Sequence, residues 1–180
     1  MLNLKTITLI ILTTSLFSCK SSKLITTRED YTKLHLDFKS NDIFIIDERT
    51  NISEEDDIKL PVFSLPKQNY DFHPKLNKDY KNIIINTIRE NSDSNSQNNS
   101  KITVFILDAK KDFSATLFAE KELVAIKLKL VIEMNGDQSE IVESAEFYRK
   151  SMDINYKKFE KLFRRSLKEV AYNALKKTKS

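Results

Sequence analysis

The fold is decided by the stretch Val124-Ala125-Ile126-Lys127-Leu128-Lys129-Leu130-Val131-Ile132-Glu133-Met134-Asn135-Gly136. Its even positions, from Val124 to Met134, are all apolar. This alternation indicates a β-strand, because a helix would spread the same residues over every side. Asn135-Gly136 favours a two-residue type I′ turn, in which both residues adopt positive φ. The sequence therefore predicts a β-hairpin whose second strand runs from about Glu140 to Lys150.

A two-residue turn also fixes which residues of the two strands lie opposite each other. The apolar pairs that it brings onto one face are Leu130 with Ile141, Ile126 with Ala145, and Val124 with Phe147. The same register puts Glu143 on that face, opposite Leu128. At Glu143 we therefore expect either a β-bulge or a corner of the sheet that is open to water.

Three shorter stretches also predict strands. Leu34, Leu36 and Phe38 alternate with polar residues, which is typical of a half-buried strand. After a predicted turn at 40–42, residues 43–46 form a continuous apolar run, and residues 102–107 form another. Both runs are typical of strands at the centre of a sheet. The stretch 58–74 contains three prolines and allows at most a short edge segment around residues 62 and 63.

Two stretches have the period of an amphipathic helix. The first covers about residues 75–90 and begins at Pro74, and the second covers about residues 155–177 and can be capped by Asp153. The element order is strand, strand, helix, strand, strand, strand, helix. It predicts an α+β fold: a two-layer sandwich with a mostly antiparallel sheet and both helices on one face.

The N-terminal segment has the features of an export signal. Lys5 is followed by thirteen uncharged residues, Thr6 to Ser18, fewer than the roughly 20 that span a bilayer as a helix. Leu16-Phe17-Ser18-Cys19 resembles the lipobox of bacterial lipoproteins. This resemblance implies that diacylglycerol is attached to the Cys19 thiol, that the signal is cut before Cys19, and that the new N-terminus is acylated. The alternative is a cysteine that merely follows a secretory signal.

These features divide the chain into segments. Residues 1–18 are the predicted signal peptide, residues 19–30 a lipidated tether, and residues 31–180 a single α+β domain. Residues 91–100, rich in Ser and Asn, are a predicted mobile loop. Removing residues 1–18 would take away one of the 30 basic residues and none of the 26 acidic ones, leaving a net charge of +3. This mildly basic charge does not indicate a nucleic-acid partner.

The counts of glycine and cysteine exclude several classes of function. The chain has one glycine, Gly136, and that residue belongs to the predicted hairpin turn. Walker loops, dinucleotide-binding turns and nucleophile elbows need glycines for positive φ or close backbone approach, so all three are excluded. The only cysteine, Cys19, is used by the predicted lipid, so no disulfide is expected.

The mature chain as a whole resembles the YajG-type and transport-auxiliary lipoproteins of the bacterial envelope. The residues that carry this resemblance are Ile45-Ile46-Asp47-Glu48-Arg49, which are similar to an early strand of those proteins that ends in Asp-x-Arg. The long alternating hairpin and the C-terminal amphipathic helix also correspond. The resemblance implies a non-catalytic periplasmic domain, sometimes an accessory to lipid transport or to cell-wall machinery.

Two groups of charged residues are candidate sites. Asp47 and Arg49 lie on the same side of a strand end and could form a structural ion pair. The basic side of the last helix is a possible contact for an anionic surface, since each Lys or Arg near anionic lipids contributes about 1 kcal/mol. Its members are Lys157, Lys161, Arg164, Arg165 and Lys168. The ordinary alternative is a solvated helix face.

The remaining polar residues predict no metal site and no cofactor. His35 and His73 are the only histidines, and the stretch between them lacks metal-ligand spacing. The acidic run 54–57 is contiguous, whereas calcium loops alternate their ligands and need a glycine. A hydrolase that uses one of the histidines would need a pocket joining it to a carboxylate and a hydroxyl.

Three functions are compatible with the sequence. The first is a lipid-anchored accessory or interaction module without catalytic activity, which binds another envelope protein through its sheet or its basic helix. The second is a protein that handles lipid or another hydrophobic ligand in an apolar cavity. The third and least favoured is a hydrolase. The resemblance to lipoproteins places the chain at the membrane through Cys19, with the periplasmic face of the outer membrane as the default because no Asp follows Cys19.

Overall fold

The computed structural model describes residues 22–24, 31–53, 68–115, 120–151 and 156–179. The fold is α+β, as predicted. The elements found in these ranges are β1 (Ser22–Leu24), β2 (Lys39–Asp47), β3 (Gln68–Phe72), α1 (Lys78–Asn91), β4 (Asn99–Ala115), β5 (Glu120–Met134), β6 (Asp137–Ser151) and α2 (Tyr156–Lys177).

The predicted hairpin is confirmed in its register as well as in its position. β5 and β6 pair antiparallel, and all the apolar pairs expected from the two-residue turn are present. Asn135 and Gly136 adopt φ of 54° and 91°, as a type I′ turn requires. The strands are longer than predicted, because pairing continues to Glu120 and Ser151.

Glu143 occupies its predicted place opposite Leu128, but the expected bulge or open corner is wrong. The side chain of Glu143 is largely buried, and its Oε2 lies 2.5 Å from Nζ of Lys177 in the last turn of α2. A cation from the covering helix therefore compensates the carboxylate. Because this partner lies 34 positions along the chain, strand periodicity alone could not reveal it.

The other described strands extend the hairpin into a mixed sheet with the order β1-β6-β5-β4-β2. β4 is antiparallel to β5, whereas β2 is parallel to β4. The parallel pair follows from α1, because the helix returns the chain to the end of the sheet from which β2 began. β3 pairs antiparallel with the far end of β4, so β2 and β3 lie end to end along the same edge.

The core lies on one face of the sheet. A single buried cluster contains inward residues of α1, such as Ile84 and Ile88, and of α2, such as Phe163 and Leu167. The strand residues in this cluster share one side, for example Val104 of β4. Tyr80 and Phe163 join the two helices, with ring centroids 5.1 Å apart in an edge-on arrangement. At about 25 cal/mol per Å² of apolar surface, this burial is the main source of stability in a chain for which no disulfide is expected.

The strand predicted over residues 34–38 is absent. Leu34, Leu36 and Phe38 are buried as expected, but the segment forms only an isolated bridge between Leu36 and Ser92. His35 has φ of 48°, a left-handed conformation that interrupts an extended strand. The alternation of burial was therefore predicted correctly, and the secondary structure was not.

The turn predicted at 40–42 and the central position predicted for 43–46 are both wrong. Residues 40–42 lie inside β2, where the register with β4 shifts between Ser40 and Asp42. β2 pairs with β4 on one side only, at an edge of the described sheet. Phe44 and Ile46 remain 49% and 44% exposed. Burial between two neighbouring strands therefore does not explain the apolar run.

Two predicted segment boundaries also need correction. Ser22–Leu24, expected to be part of a structureless tether, form β1 and pair parallel with β6. At the loop predicted for residues 91–100, Asn91 ends α1 and residues 99–100 begin β4. Asn91, Ser92 and Ser100 are buried, although this composition was expected to bury nothing. The mobility of the loop stays a prediction.

Other predictions have different outcomes. The strand predicted over residues 102–107 is confirmed within β4. α1 begins at Lys78 rather than just after Pro74, because the side chain of Asn77 caps it by accepting from the N–H of Tyr80. β3 was not predicted, and residues 62 and 63 lie outside the described residues, as do the lipobox, Cys19 and Asp153. No helix in the part of the chain that the structure describes is long and apolar enough to cross a membrane.

Candidate functional site

Asp47 and Arg49 form the ion pair that their spacing suggested. Asp47 ends β2, and Nη2 and Nε of Arg49 donate to its two carboxylate oxygens at 2.6 and 2.8 Å. The Arg49 side chain is fully buried and also donates to the main-chain carbonyls of Ala109 and Pro74, each at 3.0 Å. One guanidinium thus joins the end of β2 to β4 and to the segment before α1.

The bonds of Asp47 and Arg49 indicate a structural role for this pair. Burial alone would raise the pKa of Asp47, but the hydrogen bonds and the charge of Arg49 outweigh burial and hold that pKa below its usual value. The guanidinium makes four hydrogen bonds to protein oxygens, and this satisfies most of its donors. A ligand would have to displace these bonds.

The basic residues of α2 are less available than their spacing suggested. Arg164 donates to Glu160 at 2.8 Å and lies over the ring of Tyr80, 5.2 Å from its centroid. The hydrogen bond with Glu160 raises the pKa of Arg164, so the guanidinium keeps its charge while it is held. Lys161 is exposed, Arg165 is half-buried, and nothing is described of the Lys157 side chain. The contact with an anionic surface stays a prediction.

Lys168, the last basic residue of this group, borders a cavity between the helices and the segment that precedes β2. Its Nζ lies 4.9 Å above the ring centroid of Tyr31. The cavity, of about 490 Å³, is lined by Tyr31, Lys33, Glu90, Asn91, Lys168 and Tyr172. A second cavity, of about 410 Å³, lies beside the hairpin turn among mostly polar residues. A lipid-handling protein would need a predominantly apolar lining; the first cavity has polar and apolar surface in about equal parts and the second is mainly polar, so lipid handling stays a prediction.

The two histidines lie apart and in different surroundings. His35 is exposed, whereas His73 is partly buried, with its Nδ1 3.9 Å from Asp108 Oδ1 and 3.1 Å from Nδ2 of Asn51. Ser53 Oγ accepts a hydrogen bond from the main-chain N–H of His73 at 3.1 Å. A hydrolytic triad needs the hydroxyl to donate to the ring itself. The carboxylate and the hydroxyl are thus near His73 without that contact, and the hydrolase hypothesis stays untested.

A cluster of charged side chains that sequence reasoning missed lies inside the core. Lys111 of β4 and Glu122 of β5 are both completely buried, and Nζ of Lys111 is 3.9 Å from Oε2 of Glu122. Arg149 of β6, directly opposite Glu122, forms an ion pair with Oε1 of that carboxylate. Two basic side chains therefore share one carboxylate at the end of the sheet.

The charges in this cluster are strongly affected by burial. Burial lowers the pKa of Lys111 to about 6; attraction to Glu122 opposes this change and the charge of Arg149 adds to it. Burial also raises the pKa of Glu122, against the opposing effect of both cations. Since Arg149 stays charged, Lys111 is the group that loses its proton at neutral pH. A neutral amine is a nucleophile, but complete burial keeps this one from a substrate.

The sequence does contain a signal for this cluster. The apolar positions of β4 are even at Ile102, Val104 and Ile106 and odd at Ala109 and Phe113. Such a change of phase indicates a β-bulge, and the pairing of β4 with β5 shifts between Ile106 and Asp108. Once the bulge is included, Lys111 falls on the core face. Glu122 falls there by extending the alternation of β5 by one step.

The face of the sheet that points away from the core carries the most exposed large apolar side chains. Among the described residues these are Phe44, Ile46 and Val142, at 49%, 44% and 50% exposure. The pairing registers place Ile46, Phe105, Lys129 and Val142 in one row across four strands. Nζ of Lys129 lies 4.4 Å above the ring centroid of Phe105. Phe44, Ile46, Phe105 and Val142 are called the outer patch below.

The structure offers no centre for metal chemistry within the residues that it describes. No group of three or more His, Cys, Asp or Glu side chains there is arranged to hold a metal ion. Lys111 and Glu122 are buried, and the donors of Arg49 are engaged. Among the described residues, the outer patch is therefore the surface feature best placed to bind a partner. Exposed apolar patches with polar margins mark protein or membrane interaction sites or ligand-binding grooves.

The described residues form an α+β domain whose sheet carries the outer patch on the face away from the buried cluster. Comparison with protein-family models and with curated proteins gives no match for this chain. The resemblances to bacterial lipoproteins and to the YajG type therefore stay predictions.

Proposed function

We propose that the chain is a lipid-anchored accessory module of the bacterial envelope, without catalytic activity, which binds a protein partner through the exposed face of its sheet. Cys19 carries the lipid, and the periplasmic face of the outer membrane is its location. The lipobox-like sequence before Cys19 supports the anchor. The outer patch supports the binding role.

The observation that carries the binding role is the position of the exposed apolar side chains. Single exposed apolar residues are common on protein surfaces, but Phe44, Ile46 and Val142 all lie on one face. Lys129 lies in the row between Phe105 and Val142, and its aliphatic stem can pack while its amine stays in water.

The position of β1 supports an arrangement in which the patch stays accessible. Cys19 precedes Ser22 by three residues, so the lipid leaves the domain within about 11 Å of the β1 edge. β2, which carries half of the outer patch, lies at the opposite end of the strand order. An anchor at one edge leaves the other edge free to meet a partner away from the bilayer.

Cross-linking in intact cells tests this function. The full chain is purified after mild cross-linking, together with a Val142→Lys variant and a control variant, Arg89→Glu, on the exposed side of α1. A charge buried in an apolar interface costs binding, so Val142→Lys should recover at least about ten-fold less partner, while Arg89→Glu recovers the normal amount. Equal recovery from Val142→Lys and the wild type would contradict the proposal.

The anchor has its own test. Cys19→Ser removes the thiol that would carry the lipid, and we expect the protein to leave the membrane fraction, because two or more acyl chains make attachment stable. Retention of the Cys19→Ser variant in membranes after a high-salt wash would show that another feature holds it there.

A further inference from the structure

The outer edge of β2 has no strand partner among the described residues. The N–H of Glu48 donates to the carbonyl of Ile106 at 3.1 Å, so backbone groups at this position point toward β4. Backbone direction alternates along a strand, and the groups of Ile43, Ile45 and Asp47 therefore point outward. Among the described strands, β2 pairs with β4 alone. Unpaired edges of this kind are templates for another strand.

The side chains of β2 do not protect this edge. Edge strands of monomeric proteins are usually interrupted by charges, prolines or bulges. In β2 the bulge lies near the beginning, and Ile43 to Ile46 follow without a charge or a proline. Phe44 and Ile46 stay about half exposed on the outer face. The combination of open backbone groups and exposed apolar side chains is that of an interface.

We propose that β2 pairs antiparallel with β2 of a second copy of the chain, with Phe44 on the two-fold axis. In this register Ile43 lies opposite Ile45 of the second copy, and the outward backbone groups of both form the hydrogen bonds. Phe44 then lies opposite Phe44 of the second copy in a non-hydrogen-bonded pair, the type in which side chains come closest. Aromatic pairs of this kind stabilise a sheet.

The charges on β2 select this register over its neighbours. Opposite side chains of the two copies lie on the same face of the joint sheet only if the two-fold axis passes through a residue. The alternative registers therefore have the axis at a neighbouring residue. An axis at Ile45 would place Asp42 opposite Glu48, two like charges. An axis at Ile43 would leave Ile43 with Ile43 as the only apolar pair, because Asp42 would face Phe44. With the axis at Phe44, apolar residues meet apolar residues at 43, 44 and 45, Asp42 lies opposite Ile46, and no like charges face each other between 42 and 46.

The symmetry of this dimer also agrees with the lipid anchor at Cys19. This agreement rests on the proposed function, whereas the pairing of β2 does not. A two-fold axis at β2 is perpendicular to the sheet, so both exposed faces point the same way and form one surface. β1 of each copy then lies at an outer edge. Both lipids can enter the same membrane, and the two outer patches join into one larger binding surface.

A disulfide across the axis tests the pairing in the full chain. Phe44→Cys places one cysteine of each copy on the axis, with the two Cα atoms about 4.5 Å apart, within the range that a disulfide bridges. We expect a disulfide-linked dimer for Phe44→Cys on a non-reducing gel. We expect monomer for Val142→Cys, because Val142 is equally exposed but lies on β6, three strands away from β2. We also expect monomer for the wild type, whose only cysteine is Cys19.

Light scattering of the purified full chain in detergent covers the case in which oxidation fails. The wild type should have twice the protein mass of the chain, and Phe44→Lys should have the mass of one chain. A wild type of single mass, or equal cross-linking through positions 44 and 142, would overturn the proposal, as would a Phe44 adduct with a different protein. Partner recovery by Val142→Lys reports on the proposed function separately, because position 142 is outside the β2 edge.

Discussion

At the scale of single residues, Lys111 is the most unusual group in the domain. It is a lysine without solvent exposure, and it shares the carboxylate of Glu122 with Arg149. Replacing such charges with apolar residues often stabilises a protein, because charges lose hydration energy when they are buried. The cluster therefore costs stability, and its cost should depend on pH.

The Lys111→Met variant tests this dependence. The unfolded chain holds the Lys111 proton up to about pH 10.5 and the folded chain only below about pH 6, so unfolding takes up a proton between these values. The free energy of unfolding should therefore rise with pH there, by at most about 1.4 kcal/mol per unit, and this rise should disappear in Lys111→Met. Glu122, with its raised pKa, contributes the opposite slope from pH 4.5 upward.

Urea unfolding at pH 7 and pH 9 measures the difference. Lys127→Met is the matched control, because Lys127 is exposed on the other face of the same sheet, and it should leave the slope unchanged. An equal rise in Lys111→Met and in the wild type would contradict the assignment of the proton to Lys111.

Arg49 gives a second prediction at this scale. Arg49→Ala removes four hydrogen bonds and leaves the Asp47 carboxylate without its cation, so we expect a loss of about 3–5 kcal/mol in the free energy of unfolding. Arg89→Ala, an exposed arginine on α1, should change it by less than about 0.5 kcal/mol. Thermal or urea unfolding compares the two. Similar small losses would mean that the buried guanidinium is not required.

At the scale of the elements, the register and turn of the β5–β6 hairpin could be predicted from the sequence, and the pairing of β2 could not. Alternation and the Asn135-Gly136 turn are local, and together they fix a register without knowledge of the rest of the chain. An apolar run such as 43–46 carries no information about which strand lies beside it. Its place at an edge depends on the crossover through α1, which a local pattern does not reveal.

The contact between β6 and α2 is predicted to hold these elements together electrostatically. Lys177→Ala removes the cation that faces buried Glu143 and should cost about 1–3 kcal/mol. Glu143→Leu removes the buried charge itself and places an apolar side chain beside Leu128, so its effect should be near zero or stabilising. Chemical denaturation of both variants checks the order of stability. A Glu143→Leu variant less stable than Lys177→Ala would contradict it.

At the scale of the whole molecule, the α+β class followed from the order of predicted elements, whereas the candidate site did not. The sheet face that carries the outer patch is composed of residues from four strands, and only the pairing registers bring Ile46, Phe105, Lys129 and Val142 into one row. The basic side of α2 was visible in the sequence. However, Arg164 is engaged by Glu160 one turn earlier, and Arg164 and Lys168 also lie over the rings of Tyr80 and Tyr31, which a helical wheel of α2 does not include.

The most direct measurement of the central claim is photo-cross-linking in living cells with a photoreactive phenylalanine at position 142. The matched control places the same amino acid at Arg89, which is exposed on α1. If the exposed sheet face binds a protein partner, position 142 should give a discrete adduct with another protein, and position 89 should not. No protein adduct at position 142, or the same adducts at both positions, would contradict the account.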